Sequence, residues 1–249
     1  MIDNSSIQIA NHSSKDTLNK LIELINTSEI NSSKSLNMSV NDYRSLAVTI
    51  QDQINKDEFN KKIVSEIIDS LTIYMDSDNF LIQSNIYLRC SRPNNFNTKQ
   101  DSESIGFHRE SFYGPNMEDS VNIWTPIIGV NQNNTLRFIP ESHLIPDEEI
   151  KIINEDDKHT EKFSNGHKLG FQYSPKKILS GVDLTESQPM VVPYYSSSIF
   201  SGNLIHGSAL NKSNSIRFSC DFRVIKKSDY KSESKKFHFA SNKPYFVEF

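Results

Sequence analysis

His108 and Glu110 stand two apart in GFHRE, His206 lies far downstream in NLIHGSA, and Arg217 follows in IRFSCDF. Two imidazoles and one carboxylate can occupy one face of a six-coordinate metal and leave three positions open, the ligand set of a non-haem Fe(II) oxygenase. Zn²⁺ accepts the same set with water in an open position, so the ligands alone do not separate the two ions. Residues i and i+2 of a strand project from one face, which lets His108 and Glu110 present ligands side by side while Arg109 points away. A short His/Glu pair is weak by itself, and a single histidine in a β-rich chain is usually structural. The order of strand, HxE, strands, insert, strand, His and Arg is what carries the metal reading.

Arg217 belongs to a second constellation. It sits in an apolar-flanked strand, where a charge is costly unless paired. Alternation puts Phe218, Cys220 and Phe222 on one face and Arg217, Ser219, Asp221 and Arg223 on the other. Arg217 and Ser219 together offer a planar guanidinium fork and a hydroxyl to one carboxylate. Pairing of Arg217 with Asp221 is the structural alternative.

With these residues the chain resembles the Fe(II)/2-oxoglutarate-dependent dioxygenases, and among them the phytanoyl-CoA hydroxylase-like branch, over roughly residues 80–225. The resemblance carries HxD or HxE onto His108 and Glu110, the distal histidine onto His206 and an RxS arrangement onto Arg217 and Ser219. Ser208 and Trp124 match positions that lie near the cosubstrate. NNTLRFIPESH resembles a segment ending in PGSH, with Glu141 in place of the glycine, so a different turn is expected there. Glu110 replaces the commoner aspartate, and retention of an acidic ligand argues against a halogenase. The resemblance implies a mainly β fold, a double-stranded β-helix (a cupin-like jelly roll) whose mouth holds the metal. It also implies Fe(II), 2-oxoglutarate and O2 as cofactor and cosubstrates. 2-Oxoglutarate would chelate the metal through its keto-acid end while Arg217 and Ser219 hold its other carboxylate. A substrate C–H bond would be hydroxylated with release of succinate and CO2. A weaker similarity is to small oxygenases of bacterial carbohydrate and natural-product pathways, which implies a small polar substrate.

Candidate substrate contacts surround the expected mouth: Arg109, Tyr113 and Asn116 in or after the HxE segment, Asn85, Tyr87 and Arg89 on the strand before it, and Asn122 beside Trp124. Two other classes compete. One is a cupin isomerase or hydrolase using the same metal ligands without 2-oxoglutarate, which would be indifferent to Arg217. The other is a non-catalytic sugar-binding jelly roll, which would bind no stoichiometric divalent metal.

These residues need a frame. The first part, to about residue 78, reads as helices packed on the barrel. Asp16 is placed to cap a stripe of Leu18, Leu21, Ile22 and Ile25, a second helix spans about 41–54, and a third carries Phe59, Ile63, Ile67, Leu71 and Met75. From about 79 to 225, FLIQSNIYLRC, VNIWTPIIGV, LRFIP, QPMVVPYY, SSIFSG and IRFSCDFRVI read as strands of one antiparallel jelly-roll core within a single domain. An insert at about 146–188, with His159, His167, Phe171 and Tyr173, is expected to form a lid. Its histidines and His143 read as solvated. The tail from 226 to 249 ends in KPYFVEF, which suits docking on the barrel or a homodimer contact.

Composition narrows the partners. At 36% hydrophobic and 10% aromatic residues the 249-residue chain can bury a sizeable core, while a net charge of −4 without a basic block argues against nucleic acid. No apolar run approaches a membrane span and no secretory signal opens the chain. Cys90 and Cys220, far apart, make no disulfide scaffold. A soluble, reducing, cytoplasmic setting is expected.

Overall fold

The computed structural model describes residues 6–93, 105–155, 160–171, 176–237 and 243–249. Four amphipathic helices occupy the first part, α1 (Asp16–Asn26), α2 (Val40–Lys56), α3 (Phe59–Glu66) and α4 (Ile68–Met75). α2 starts on Ser39, whose hydroxyl accepts from the Asp42 N–H at 3.1 Å and reaches the Asp42 carboxylate, a capping arrangement that satisfies an otherwise orphaned donor. Two expectations change. Asp16 is the first residue of α1 rather than its cap, where its charge suits the helix N-terminus. The third stripe is not one helix, because Ile67 leaves helical geometry at φ −118° and divides it into α3 and α4.

The strands follow from one short forerunner, β1 (Gln8–Asn11), which the sequence reading did not anticipate. They are β2 (Phe80–Gln83), β3 (Tyr87–Ser91), β4 (Ser120–Ile128), β5 (Leu136–Phe138), β6 (Lys151–Asn154), β7 (Lys176–Ser180), β8 (Gln188–Pro189), β9 (Ser196–Ser201), β10 (His206–Ser208), β11 (Arg217–Lys226) and β12 (Phe246–Glu248). The larger sheet runs β1-β9-β4-β11-β2-β12, with β3 sharing the β2 side of β11. The smaller sheet is β10-β5-β8, and β6 and β7 form a separate ribbon. Every pairing is antiparallel. This is the strand-rich antiparallel frame that the strand pattern suggested, and the jelly roll that the resemblance implies. QPMVVPYY contributes a strand only at Gln188–Pro189; Tyr195, at φ +60°, takes a left-handed turn that no strand accommodates.

β11 sorts the interior. Its outward residues Phe218, Cys220, Phe222 and Val224 join Ile82, Leu88, Ile123 and Ile199 against helix residues Leu21, Ile25, Ile54 and Ile63 in the main core. Across the barrel, Trp124 and Phe200 pack with Leu136, Met190 and Leu204, closing the two sheets on each other. Polar side chains of α2 cover the β3 edge. Asn55 accepts from the Ile86 N–H at 2.7 Å and Gln51 from the Leu88 N–H at 3.0 Å, so an edge that would otherwise be unsatisfied is paired.

The insert divides into the β6–β7 ribbon and a docked turn around α5 (Asn165–Lys168). That turn is tied to α2 through Asn165 to Ser45 at 2.7 Å and Gln51 to the Lys168 carbonyl at 2.8 Å. Gly170, at φ +77°, lies so close to the Tyr87 ring that a Cβ would sit 2.8 Å from it. His159 and Tyr173 lie outside the described residues. The tail docks: β12 pairs with β2, and Phe246 packs with Leu81, Met117 and Ile225. Among the described residues no helix is long and apolar enough to cross a membrane. Among the described residues Cys90 and Cys220 form no disulfide.

Candidate metal centre and cosubstrate pocket

His108 and His206 form a reciprocal backbone pair, each N–H donating to the other's carbonyl at 2.9 Å, which sets their rings 4.6 Å apart. Each ring is then anchored on its own segment. Nδ1 of His108 lies 2.8 Å from the Gly106 carbonyl, and Nδ1 of His206 lies 2.9 Å from that of Leu204. A carbonyl only accepts, so Nδ1 carries the proton and each Nε2 keeps a lone pair for a metal. Burial lowers both pKa values, that of His206 to about 4 with the neighbouring His108 adding to the effect, so the imidazoles stay neutral.

Arg109 is extended, at φ −126°, so Glu110 returns to the side of His108 as the spacing of two requires. The strand goes no further. Glu110 opens a 3-10 turn, Glu110–Tyr113, and its N–H is fixed on the Gly202 carbonyl at 2.7 Å. One ligand atom from each of His108, Glu110 and His206 lies within 4.8 Å of the others, and all three residues are buried. Among the described residues they are the only such group of His, Cys, Asp or Glu. Burial pushes the Glu110 carboxyl up, but Arg223 and the two histidines outweigh it and hold the group below its ordinary value. His143 and His167 lie outside this group; His167 accepts from the Phe163 N–H at 3.1 Å.

Buried polar atoms normally find partners, and those that do not point to a ligand. Arg217 is 2% exposed, yet its Nε and Nη1 have no hydrogen-bond partner among the described residues. Burial pushes its pKa down to about 10. The Ser219 hydroxyl, Trp124 Nε1 and Asn122 Nδ2 are buried and unpartnered in the same way. Arg217 does not pair with Asp221, which instead takes Arg89 in a fork at 2.5 and 3.1 Å and Arg223 at 3.4 Å. One cavity is lined by His108, His206, Asn122, Trp124, Phe200 and Ser208, and another by Arg217, Cys90, Tyr43, Phe171 and Ser208. They adjoin at Arg89, Ile105 and Ser208. Ser219 lines neither cavity, but the unspent donors of Arg217 in one and of Trp124 and Asn122 in the other, beside a metal-ligand group, suit a small dicarboxylate with a second chelating end.

The substrate candidates separate. Asn122 lines the metal cavity, and Tyr113 stands edge-on to His108 with centroids 6.0 Å apart. Arg89 lines both cavities, although its guanidinium is engaged by Asp221 and by the Leu169 carbonyl at 2.7 Å. Tyr87 lies beneath Arg89, 5.0 Å from ring centroid to guanidinium. Three candidates are placed elsewhere. Arg109 turns away from the ligands and donates to the Ser142 and Ile145 carbonyls and to Asp147, clamping the start of the insert. Asn116 is occupied in tying down Lys231 and Ser234. Asn85 sits in the break between β2 and β3 and lines neither cavity. The sequence reading missed Asp221 and Arg223 as site residues. Their signal was present, since both share the alternation face of Arg217 and Ser219.

A family model for phytanoyl-CoA dioxygenase (PhyH) matches residues 37–219, a span that holds both histidines, the glutamate, Arg217 and Ser219. No curated protein sequence matches significantly. Among solved structures, apo ThoJ, a non-heme monooxygenase, aligns at TM-score 0.54 and 13% identity over 90% of this chain and 75% of its own. AviO1 from Streptomyces viridochromogenes Tue57 aligns at TM-score 0.54 and 14% identity, covering 91% and 92%. The epimerase SnoN, in complex with Fe3+, alpha ketoglutarate and nogalamycin RO, aligns at 0.52 and 10%, covering 97% and 89%. At such identities the likeness is one of fold. The family match decides against the sugar-binding jelly roll and the cupin isomerase or hydrolase. The chain belongs to the phytanoyl-CoA dioxygenase family, non-haem oxygenases that depend on Fe(II), 2-oxoglutarate and O2.

Proposed function

We propose that this enzyme hydroxylates a C–H bond of a small polar substrate, sugar-linked or from a natural-product pathway, with release of succinate and CO2. The observation that carries the proposal is the juxtaposition of the buried His108–Glu110–His206 group with the unpartnered donors of Arg217 and Ser219. Bound there, Fe(II) and 2-oxoglutarate supply an oxidising power that no side chain of this protein has. The chain's own residues do the positioning. The Nδ1–carbonyl bonds aim both Nε2 atoms at one point. Arg217 and Ser219 are assigned the far carboxylate, with Ser208 and Trp124 Nε1 beside the cosubstrate. Phe200, Leu136 and Ile105 line the metal cavity and keep it dry. Asn122 and Tyr113 are the side chains offered to the substrate, and the docked turn at residues 160–171, whose Leu169 and Phe171 line the Arg217 cavity, covers the cosubstrate end. That Cys90 and Cys220 form no disulfide suits the reducing, cytoplasmic setting.

Anaerobic titration of the metal-free protein with Fe(II) and then 2-oxoglutarate tests this, with Arg217→Met in parallel. A weak visible charge-transfer band in the wild type, diminished in the variant, is expected. Metal uptake without the band would reject the cosubstrate assignment, and no uptake would reject the metal centre. Product analysis then separates hydroxylation from epimerisation, desaturation or ring closure.

A further inference from the structure

We infer that Arg223 is the positioning residue for the metal carboxylate and that Asp221 and Arg89 hold it in place; the inference rests on the His108–Glu110–His206 reading of the site. Nη2 of Arg223 lies 2.6 Å from Glu110 Oε1, a short charge-assisted contact between two buried residues. The guanidinium is fixed from behind. Nη1 reaches Asp221 Oδ2 and Gln83 Oε1, each at 3.4 Å, and the Arg223 backbone N–H donates to the same Gln83 oxygen at 3.0 Å. Asp221 is in turn gripped by the Arg89 fork, and Arg89 is tied to the Leu169 carbonyl in the docked turn of the insert. A continuous chain of contacts therefore runs from the insert to the metal carboxylate.

Two features make a positioning role necessary. Glutamate has one more rotatable bond than the shorter aspartate, and Glu110 opens a 3-10 turn, so no strand backbone dictates where its carboxylate points. The nearer carboxylate oxygen stands 4.0 Å from His206 Nε2, and the Arg223 contact on that same oxygen sets the plane of the group. Electrostatics oppose this arrangement. A guanidinium beside a cation site repels the incoming metal, and Asp221 is the acid that offsets it.

That opposition separates orientation from charge. If Arg223 acted by charge alone, its removal would tighten divalent-cation binding; if it orients Glu110, removal weakens binding. The test is Mn(II) titration of the metal-free protein by calorimetry and by electron paramagnetic resonance, for the wild type, Arg223→Met, Arg223→Lys, Asp221→Asn, Glu110→Gln and the double variant Glu110→Gln/Arg223→Met. Loss of a residue that orients a metal ligand costs roughly 10–100-fold in metal affinity. Arg223→Met is expected to fall in that range, Arg223→Lys between it and the wild type, and Asp221→Asn to weaken binding as well. In the Glu110→Gln background, loss of Arg223 is expected to add nothing. Mn(II) binding by Arg223→Met as tight as the wild type, or tighter, overturns the inference, as does an undiminished Arg223 effect on top of Glu110→Gln. If circular dichroism shows Arg223→Met unfolded, the Lys and Asp221→Asn variants decide, and unchanged affinity in both overturns it. Failure of the wild type to bind Mn(II) is a different result, which removes the metal centre itself.

Discussion

Arg217→Met should abolish 2-oxoglutarate binding without costing the metal-free protein any stability. Methionine keeps the length of the side chain and removes the guanidinium. Among the described residues Nε and Nη1 are buried and have no partner, so no hydrogen bond at these atoms is lost, and exchanging a buried charge for an apolar side chain is commonly neutral or stabilising. The ligand-bound state behaves oppositely. Two hydrogen bonds to a carboxylate contribute about 1.5–3 kcal/mol each, so their loss weakens affinity by roughly 10²–10⁴-fold.

Thermal unfolding with Mn(II) in place of Fe(II) converts this into temperatures. At 2-oxoglutarate set to about 100 times the wild-type Kd, linkage stabilises the folded state by about 2.7 kcal/mol. For a chain of this size that raises Tm by about 5–11 °C. At the same concentration, a variant weakened 100-fold gains only RT ln 2, about 0.4 kcal/mol, or roughly 1 °C. The expected pattern is an unchanged or higher Tm without ligand and a nearly vanished ligand-induced shift. A full shift in Arg217→Met would refute the carboxylate assignment. A large loss of stability without ligand would refute the claim that Nε and Nη1 have no partner.

Three further outcomes are expected. His108→Ala and His206→Ala each remove one of three metal ligands and should abolish stoichiometric metal binding and turnover; 2-oxoglutarate-dependent O2 consumption retained by either would defeat the ligand assignment. Glu141→Gly should stabilise the protein by about 1 kcal/mol, because Glu141 holds the left-handed φ of +58° that glycine adopts without a Cβ penalty, and a destabilised variant in urea melts would refute the strain argument. His12 links β1 to Glu66 at 2.7 Å and to Ser197 at 2.8 Å, and burial lowers its pKa although Glu66 opposes the shift. The folded state therefore favours neutral His12. Its contribution is present above the unfolded pKa of about 6.5 and is lost as pH falls from there through the lower folded value. His12→Gln should flatten the decline of stability below about pH 6.5, and an identical slope in the variant and the wild type would show that His12 plays no part in it.

What could be read in the chain, and what could not, divides along the length scale of the interaction. Periodicity legible within IRFSCDFRVI put Arg217, Ser219, Asp221 and Arg223 on one face, and the structure keeps them there. The spacing of His108 and Glu110 likewise survived, because a single extended residue suffices to return the second side chain to the first one's side. The turn at Glu141 shows the limit of residue type as a signal. A non-glycine suggested a different turn; Glu141 itself takes the left-handed conformation, and the neighbouring Ser142 hydroxyl accepts from the Ile205 N–H at 2.8 Å. Roles were not legible wherever the partner comes from a distant segment. Arg109 looked like a pocket residue until the carbonyls of Ser142 and Ile145 arrived from the next loop, and Asn116 until Lys231 and Ser234 came from the tail.

The inward face of β11 shows why face and function are separate questions. Its four polar residues sit in two unlike settings, and what divides them is cross-strand register. Arg217 and Ser219 lie opposite Ser91 and Arg89 of β3, and Arg89 is already turned to Asp221, so Arg217 Nε and Nη1 and the Ser219 hydroxyl have no partner among the described residues. Asp221 lies opposite Tyr87, and Arg223 opposite Asn122, which places them in line with Arg89 on one side and Glu110 on the other. One end of the strand thus leaves donors without partners among the described residues and fits a ligand, while at the other Asp221 and both terminal nitrogens of Arg223 are engaged by neighbouring side chains and fit a scaffold for the metal carboxylate. Alternation alone makes the four equivalent. Pairing register, which depends on where β3 and β4 begin and end, makes them different.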